Sequence, residues 1–98
     1  MKIPLQSGDR MIFITLVRFR KKPTKEFLAE SNKLVQKAVT EGVKILGMYW
    51  LLGRYDGVLI WEAPDEKMLM KAAIRWGDYV SLETLVAVPR EEAAKLVE

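Results

Sequence analysis

Two long apolar segments, at residues 11–19 and 43–52, carry large hydrophobic side chains at both odd and even positions. Successive side chains of a β-strand point to opposite faces of a sheet, so a strand that is covered on one face alternates apolar and polar residues. The first segment does not alternate: one phase holds Ile12, Ile14 and Leu16, and the other holds Met11, Phe13, Val17 and Phe19. These segments therefore predict a sheet with two apolar faces, each of which needs a cover.

Helical periodicity predicts what covers one face. Between residues 25 and 41 the apolar positions fall on one side of a 3.6-residue period. Thr24 is a suitable N-cap for this helix, and Gly42 is a suitable residue to end it. A second amphipathic helix is predicted from the acidic start at residues 63–66 to Gly77.

The order of these elements predicts the fold. With strands at residues 11–19, 43–52, 57–62 and 81–88, the order is strand, helix, strand, strand, helix, strand. This order is typical of a ferredoxin-like βαββαβ fold of the α+β class, with one four-stranded antiparallel sheet. We expect a single domain over residues 11–98, which ends in a short helix at residues 90–97, and an N-terminal arm over residues 1–10.

The turn between the second and third strands is the segment Gly53-Arg54-Tyr55-Asp56-Gly57. Glycine adopts positive φ without steric cost and an Asp side chain can bond nearby backbone, so this segment predicts a hairpin. The loop length leaves the facing of the second strand open. A three-residue loop brings Trp50 onto the face of Ile60, whereas a four-residue loop brings Tyr49 there. Gly47, inside that strand, predicts a bulge or the close approach of a ligand.

Two helices can cover one face of the sheet, and the chain offers little to cover the other. An exposed apolar patch of that size is uncommon on a soluble monomer, and a domain this small buries only about 60–65% of the surface of its unfolded chain. We therefore predict a homodimer that packs sheet against sheet about a two-fold axis, with any higher oligomer left open. The alternative is that the C-terminal helix folds back over the open face.

The absence of Cys and His narrows the chemistry. Without Cys there is no disulfide or thiolate, and without His there is no imidazole base or metal ligand. We accordingly predict no metal site, no cofactor and no catalytic residue. The net charge of +3 is weak evidence for a nucleic-acid or membrane partner, so neither is expected. The longest apolar run near the N-terminus is too short to span a membrane, which favours a cytoplasmic protein.

Three motifs together resemble the GYD domain family: Leu52-Gly53-Arg54-Tyr55-Asp56, Val58-Leu59-Ile60-Trp61-Glu62-Ala63-Pro64-Asp65 and Glu83-Thr84-Leu85. Here Arg54 stands between the Gly and the Tyr that name the family. The resemblance implies a dimeric α+β barrel, in agreement with the strand pattern, and implies no particular activity. A similar Gly-x-Tyr-Asp turn occurs in the effector-binding domain of Lrp/AsnC-type regulators, but this chain shows no DNA-binding helix-turn-helix.

The candidate ligand site is the apolar space between the two sheets of the dimer. If Leu59 and Trp61 face the helices, the alternate positions of the third strand face the partner. We expect the side chains on the same face of the first strand, and one aromatic residue of the second strand, to line the same space. The turn would lie at the entrance to this space. The candidate ligand-binding residues are Phe13, Thr15, Val17, Tyr49, Trp50, Tyr55, Asp56, Val58, Ile60 and Glu62.

Three of these candidates have structural alternatives. Tyr55 and Asp56 can simply hold the turn, with Asp56 bonded to backbone N–H groups, and we favour this interpretation. Glu62 would be a carboxylate in a largely apolar space, where a charge needs a partner or takes up a proton. Because it ends its strand, we expect Glu62 to reach solvent.

The favoured function is a non-catalytic homodimer that binds a small, partly apolar molecule between its sheets. The alternative is a cofactor-free enzyme of the monooxygenase or isomerase type, which would need Glu62, Tyr49, Tyr55 or a bound water as its acid or base. Only fold analogy supports that alternative. RNA binding is a third class, since RRM domains share this topology, but the RNP1 pattern is missing from residues 57–63.

Overall fold

The computed structural model describes residues 10–97 of the chain. Its elements are β1 (Met11–Phe19), α1 (Lys25–Thr40), β2 (Lys44–Trp50), β3 (Gly57–Ala63), α2 (Glu66–Arg75), β4 (Val80–Ala87) and α3 (Arg90–Ala94), followed by a 3₁₀ turn at Lys95–Val97. The predicted ferredoxin-like βαββαβ fold is confirmed. The predicted N-terminal arm lies outside the described residues, apart from Arg10.

Local sequence sets the two ends of helix α1. Oγ1 of the N-cap Thr24 accepts a hydrogen bond of 3.0 Å from the N–H of Phe27, which pairs one of the free amides of the first turn. At the other end Gly42 has a φ of 113°, a left-handed conformation that favours glycine, and the chain then turns into β2. The predicted N-cap and the predicted terminating glycine are both confirmed.

An ionic cluster joins the ends of the two long helices. Nη2 of Arg75, in the last turn of α2, lies 2.8 Å from both carboxylate oxygens of Glu41, the residue after α1. Nζ of Lys71 lies 3.5 Å from the same carboxylate. The hydrogen bond from Arg75 is the main reason that the pKa of Glu41 lies below its ordinary value of 4.5.

The sheet has the strand order β2-β3-β1-β4, and every neighbouring pair is antiparallel. Directly paired residues of neighbouring strands project from the same face of a sheet. One face, here called the helix face, is defined by three pairs between β1 and β3: Phe13 with Trp61, Thr15 with Leu59, and Val17 with Gly57. This face packs on the helices, because Phe13 shares a buried cluster with Ala38 of α1 and Leu69 of α2.

The opposite phase of the strands forms what we call the open face. Its larger apolar residues include Ile12, Ile14 and Leu16 of β1, Tyr49 of β2, Val58 and Ile60 of β3, and Leu85 of β4. Of the helices described, neither α1 nor α2 covers this face, and Tyr49 remains 59% exposed. The shortest dimension of the molecule is 18 Å, which fits one sheet and one layer of helices.

Helix α3 does not cover the open face either. Its main contact is with the 3₁₀ turn that follows it, and the apolar residues Leu96 and Val97 of that turn stay exposed. The alternative in which the C-terminal helix folds back over the sheet is therefore not the arrangement observed. Within residues 10–97, the apolar open face is left without a helical cover.

The predicted irregularity at Gly47 is a β-bulge. Ile45 lies on the helix face and Gly47 pairs with Ile60 on the open face, so Leu46 is the extra residue. The ring of Tyr49 occupies the space beside Gly47, since a Cβ at Gly47 would come within 2.9 Å of Cε2 of Tyr49. The missing side chain therefore makes room for an aromatic ring on the open face.

Candidate functional site

A cavity of about 140 Å³ lies between the helix face and helix α1. Residues of the sheet, of α1 and of the chain after α2 line it: Thr15, Val17, Phe19, Phe27, Leu28, Ser31, Met48, Trp50, Gly57, Leu59, Trp61, Trp76, Val80 and Leu82. Tyr49 and Val58 also border the cavity, although their side chains belong to the phase of the open face. The cavity is thus mainly apolar and lies on the side of the sheet opposite to the open face.

Aromatic side chains form much of the cavity wall. The ring of Phe19 meets the rings of Phe27 and Trp50 edge to face, at centroid distances of 5.6 Å and 5.3 Å. This arrangement is favourable because the positive edge of one ring meets the negative face of another. Trp61 and Trp76 are buried, whereas Trp50 is 62% exposed. Trp50 therefore lies at the exposed rim of the cavity.

The cavity wall contains the buried hydroxyl of Thr15, which is only 1% exposed, and the half-buried hydroxyl of Ser31. Oγ1 of Thr15 accepts a hydrogen bond of 2.9 Å from Nε1 of Trp61. The same oxygen lies 2.9 Å from Oγ1 of Thr84 on β4, and either hydroxyl can donate. Because an unpaired buried hydroxyl or indole N–H costs free energy, these bonds allow a threonine in the middle of an apolar strand. They also hold the hydroxyl at a fixed place beside the cavity.

The turn between β2 and β3 has four residues. The N–H of Leu51 donates to the carbonyl of Asp56 at 2.8 Å, which leaves residues 52–55 as the loop. The sequence left loops of three and of four residues open. The four-residue loop observed here places Tyr49 on the open face and Trp50 on the helix face. The rim position of Trp50 is therefore a consequence of the loop length.

Asp56 ties this turn to the end of β1. Its Oδ2 accepts a hydrogen bond of 2.8 Å from the N–H of Phe19, and its own N–H donates to the carbonyl of Val17 at 2.8 Å. Tyr55 donates from its hydroxyl to Oε1 of Glu83 on β4, at 2.9 Å. Asp56 makes the kind of backbone contact expected of it, the bond from Tyr55 to Glu83 was not predicted, and neither residue borders the cavity. Asp56 acts on the cavity indirectly, because Val17 and Phe19 line it.

The expectation that Phe13, Thr15 and Val17 face a partner subunit is wrong. The register pairs them with helix-face residues of β3, so they point to the helices. Both phases of β1 are apolar, so hydrophobicity could not distinguish them; the register is set by backbone hydrogen bonds and by the turn. The strand candidates therefore divide into Phe13, Thr15, Val17 and Trp50 on the helix face and Tyr49, Val58, Ile60 and Glu62 on the open face.

The expectation that Glu62 reaches solvent is wrong, because Glu62 is only 4% exposed. Its Oε1 accepts a hydrogen bond of 2.9 Å from Nε of Arg10. Nη2 of Arg10 also donates to the carbonyls of Gly42 and Glu62, at 2.7 Å and 3.0 Å. The carboxylate therefore has the charged partner that burial requires, and it joins β3 to the start of β1.

Neither the part of α1 that lines the cavity nor Trp76 was among the predicted site residues. Phe27 and Ser31 are four residues apart and so lie on the same side of α1, facing the cavity. Their periodicity indicated that this side of the helix is buried. No feature of the sequence indicated that the packing beside it is incomplete, because a cavity depends on the combined shapes of several elements.

The chemistry that the described residues offer here is limited. None of the described residues that border the cavity carries a carboxylate, an ammonium or a guanidinium group. The cavity combines apolar walls with the buried hydroxyl of Thr15, which suits the binding of a neutral molecule.

Two other kinds of site are not found among residues 10–97. No group of three or more acidic side chains in this range is placed to hold a metal ion. No helix in that part of the chain is long and apolar enough to cross a membrane.

Comparison with known proteins gives a family match and a fold match. The model of the family described as the GYD domain matches residues 13–97. Curated proteins gave no match. A crystal structure of a Dabb family protein with a ferredoxin-like fold from Mesorhizobium loti MAFF303099 is similar at 18% sequence identity. The match covers 81% of this chain and 97% of that chain, with a TM-score of 0.45.

Proposed function

This chain belongs to the GYD domain family, and we propose that it acts as a homodimer whose subunits each bind a small, partly apolar molecule in the cavity between the sheet and helix α1. The observation that carries this proposal is the cavity itself, in which aromatic walls surround one buried hydroxyl. Small-molecule sites generally combine apolar walls with a few fixed polar groups, which set the orientation of the ligand.

The helix side of the sheet is a better place for the ligand than the space between two sheets. Protein interiors are packed as densely as organic crystals, whereas an apolar cavity of about 140 Å³, partly open to the surface, lies between α1 and the sheet. On the open face, large side chains such as Ile14, Ile60 and Tyr49 project outward and would fill an interface with a second sheet. These observations favour a ligand under α1 and a partner subunit on the open face.

The open face has the dimensions of a dimer interface. Four strands at a spacing of about 4.8 Å, each rising about 3.3 Å per residue over some eight residues, present a projected area of roughly 500 Å². Specific interfaces bury about 800 Å² per partner, so the face would supply the larger part and the flanking loops the remainder. A two-fold axis pairs this one surface with itself, which explains how a single apolar face can be covered.

Binding is favoured over catalysis because none of the described residues that border the cavity carries a carboxylate or an amine. Of the side chains that the enzyme alternative would use, Glu62 and Tyr55 do not border the cavity, and Tyr49 borders it from the phase of the open face. The first two are engaged elsewhere, Glu62 with Arg10 and Tyr55 with Glu83. A general acid or base must lie within hydrogen-bonding reach of its substrate, directly or through one water.

The test compares two variants of the same helix. Ser31→Phe places a ring in the cavity, and Asn32→Phe places the same ring on the exposed side of α1. Native mass spectrometry of each purified protein, before and after incubation with a cell metabolite extract, measures the number of subunits and the retained small molecules. We expect a ligand-bearing dimer for the wild type and for Asn32→Phe, and a ligand-free dimer for Ser31→Phe. Ser31→Phe that retains the molecule, or a wild type that takes up none, would contradict the proposal.

A further inference from the structure

The dimensions and polarity of the cavity restrict the class of its ligand. We infer that it receives one aromatic ring with one neutral oxygen substituent, as in a phenol, and that the Thr15 hydroxyl binds this oxygen. The inference rests on the proposed function, since it specifies what the cavity binds. Size, wall chemistry and the hydrogen-bonding capacity of Thr15 each support it.

The volume corresponds to a single ring. The cavity measures about 140 Å³, and a dry apolar protein cavity of about 150 Å³ holds one benzene molecule. A six-membered ring therefore matches the volume of the cavity beneath α1, and the second ring of a fused pair would have to extend beyond it. A substituent on the far side of the ring can extend past Trp50, which lies at the exposed rim.

The walls favour an aromatic ring. Phe19, Phe27 and Trp50 already meet edge to face, so a further ring among them can continue the same arrangement. No charged group borders the cavity among the described residues. An ionised ligand such as a carboxylate would lose its hydration without gaining a counter-charge, which selects against it.

Thr15 has one hydrogen-bonding position left for a ligand. A hydroxyl donates once and accepts twice. One acceptor position takes the indole N–H of Trp61, and the bond to Thr84 uses a second position. When Thr84 donates, Thr15 keeps its proton for a ligand oxygen; when Thr15 donates, it keeps a lone pair for a ligand O–H. A phenol satisfies either arrangement, because its oxygen both donates and accepts.

The test measures binding of four probes by isothermal titration calorimetry at pH 7: p-cresol, toluene, 2-naphthol and benzoate. We expect saturable binding of p-cresol about ten-fold tighter than that of toluene, as one net hydrogen bond of ordinary strength provides. We expect 2-naphthol and benzoate to bind more weakly than p-cresol. We expect Ser31→Phe to abolish the binding of p-cresol and Asn32→Phe to retain it.

Two variants of Thr15 identify the group that is responsible. Thr15→Ser keeps the hydroxyl and retains the preference for p-cresol over toluene, whereas Thr15→Val removes the preference. If Thr15→Val fails to fold, the comparison of the four probes on the wild type and on Thr15→Ser still decides the matter. Equal affinities for p-cresol and toluene, or tighter binding of 2-naphthol or benzoate, would overturn this inference while leaving a ligand-binding cavity. If no probe binds in a manner sensitive to Ser31→Phe, and no molecule is retained from the extract, both proposals fail.

Discussion

Asp56 links the motif of the family to the cavity through a single side-chain hydrogen bond, and its removal has a predictable cost. Asp56→Ala deletes the carboxylate that accepts the N–H of Phe19 at 2.8 Å. A hydrogen bond to a charged group contributes about 1.5–3 kcal/mol net, and the lower end applies here because water can reach this partly buried N–H. For a domain of this size each kcal/mol lowers the Tm by about 4–8 °C, so we expect a loss of about 6–12 °C.

The measurement is thermal unfolding followed by circular dichroism at one fixed protein concentration, because the Tm of an oligomer depends on concentration. Asp56→Asn keeps an acceptor oxygen but loses the charge, so its loss is expected to be intermediate. Tyr55→Phe removes an exposed hydrogen bond to Glu83, and we expect it to change stability by no more than about 0.5 kcal/mol. An unchanged Tm for Asp56→Ala, or an equal loss for Tyr55→Phe, would refute this account of the turn.

Three further substitutions test other contacts. The pKa of Glu41 is lowered chiefly by its hydrogen bond from Arg75. The stabilisation from this carboxylate is therefore complete above the unfolded-state pKa near 4.5, and it is lost as the pH falls through the folded-state pKa. Urea unfolding at pH 7 and pH 3 will show a smaller loss in the free energy of unfolding for Glu41→Gln than for the wild type. Gly42→Ala adds a Cβ that meets no other atom but must adopt a φ of 113°. Chemical denaturation will show that this backbone strain lowers the free energy of unfolding by about 1 kcal/mol. Ile14→Lys puts a charge on the open face and will give a monomer by size-exclusion chromatography, whereas Met70→Lys, on the exposed side of α2, will elute as the wild type does.

The sequence predicts the fold well because its signals are local. Helical periodicity, the cap at Thr24 and the positive-φ glycine at Gly42 each depend on a few neighbouring residues, and the structure contains all of them. The bulge at Gly47 belongs to the same class, since a glycine within a strand marks it. For such features the sequence carries the information directly.

The site was harder to predict because it depends on register and on incomplete packing. Two apolar phases in β1 conceal which one faces the helices, and only the pairing of Phe13 with Trp61 decides it. The partner of Glu62 is Arg10, which the sequence placed in an arm with no assigned contacts. A void between α1 and the sheet arises from the shapes of side chains that are far apart in the chain, such as Phe27 and Trp50.

Strand β1 presents apolar side chains on both faces of the sheet. Its odd-numbered residues, such as Thr15 and Val17, line the cavity, whereas Ile14 and Leu16 project from the open face. The apolar character of both phases, which obscured the register, is what this arrangement requires. A substitution in one phase is therefore expected to affect ligand binding, and a substitution in the other is expected to affect assembly.

We propose that a second copy of the chain covers the open face, and sedimentation equilibrium of the wild type at micromolar concentration measures this. We expect a single species with twice the 11.3 kDa mass of the chain. A well-folded species with the mass of one chain across that concentration range would contradict it.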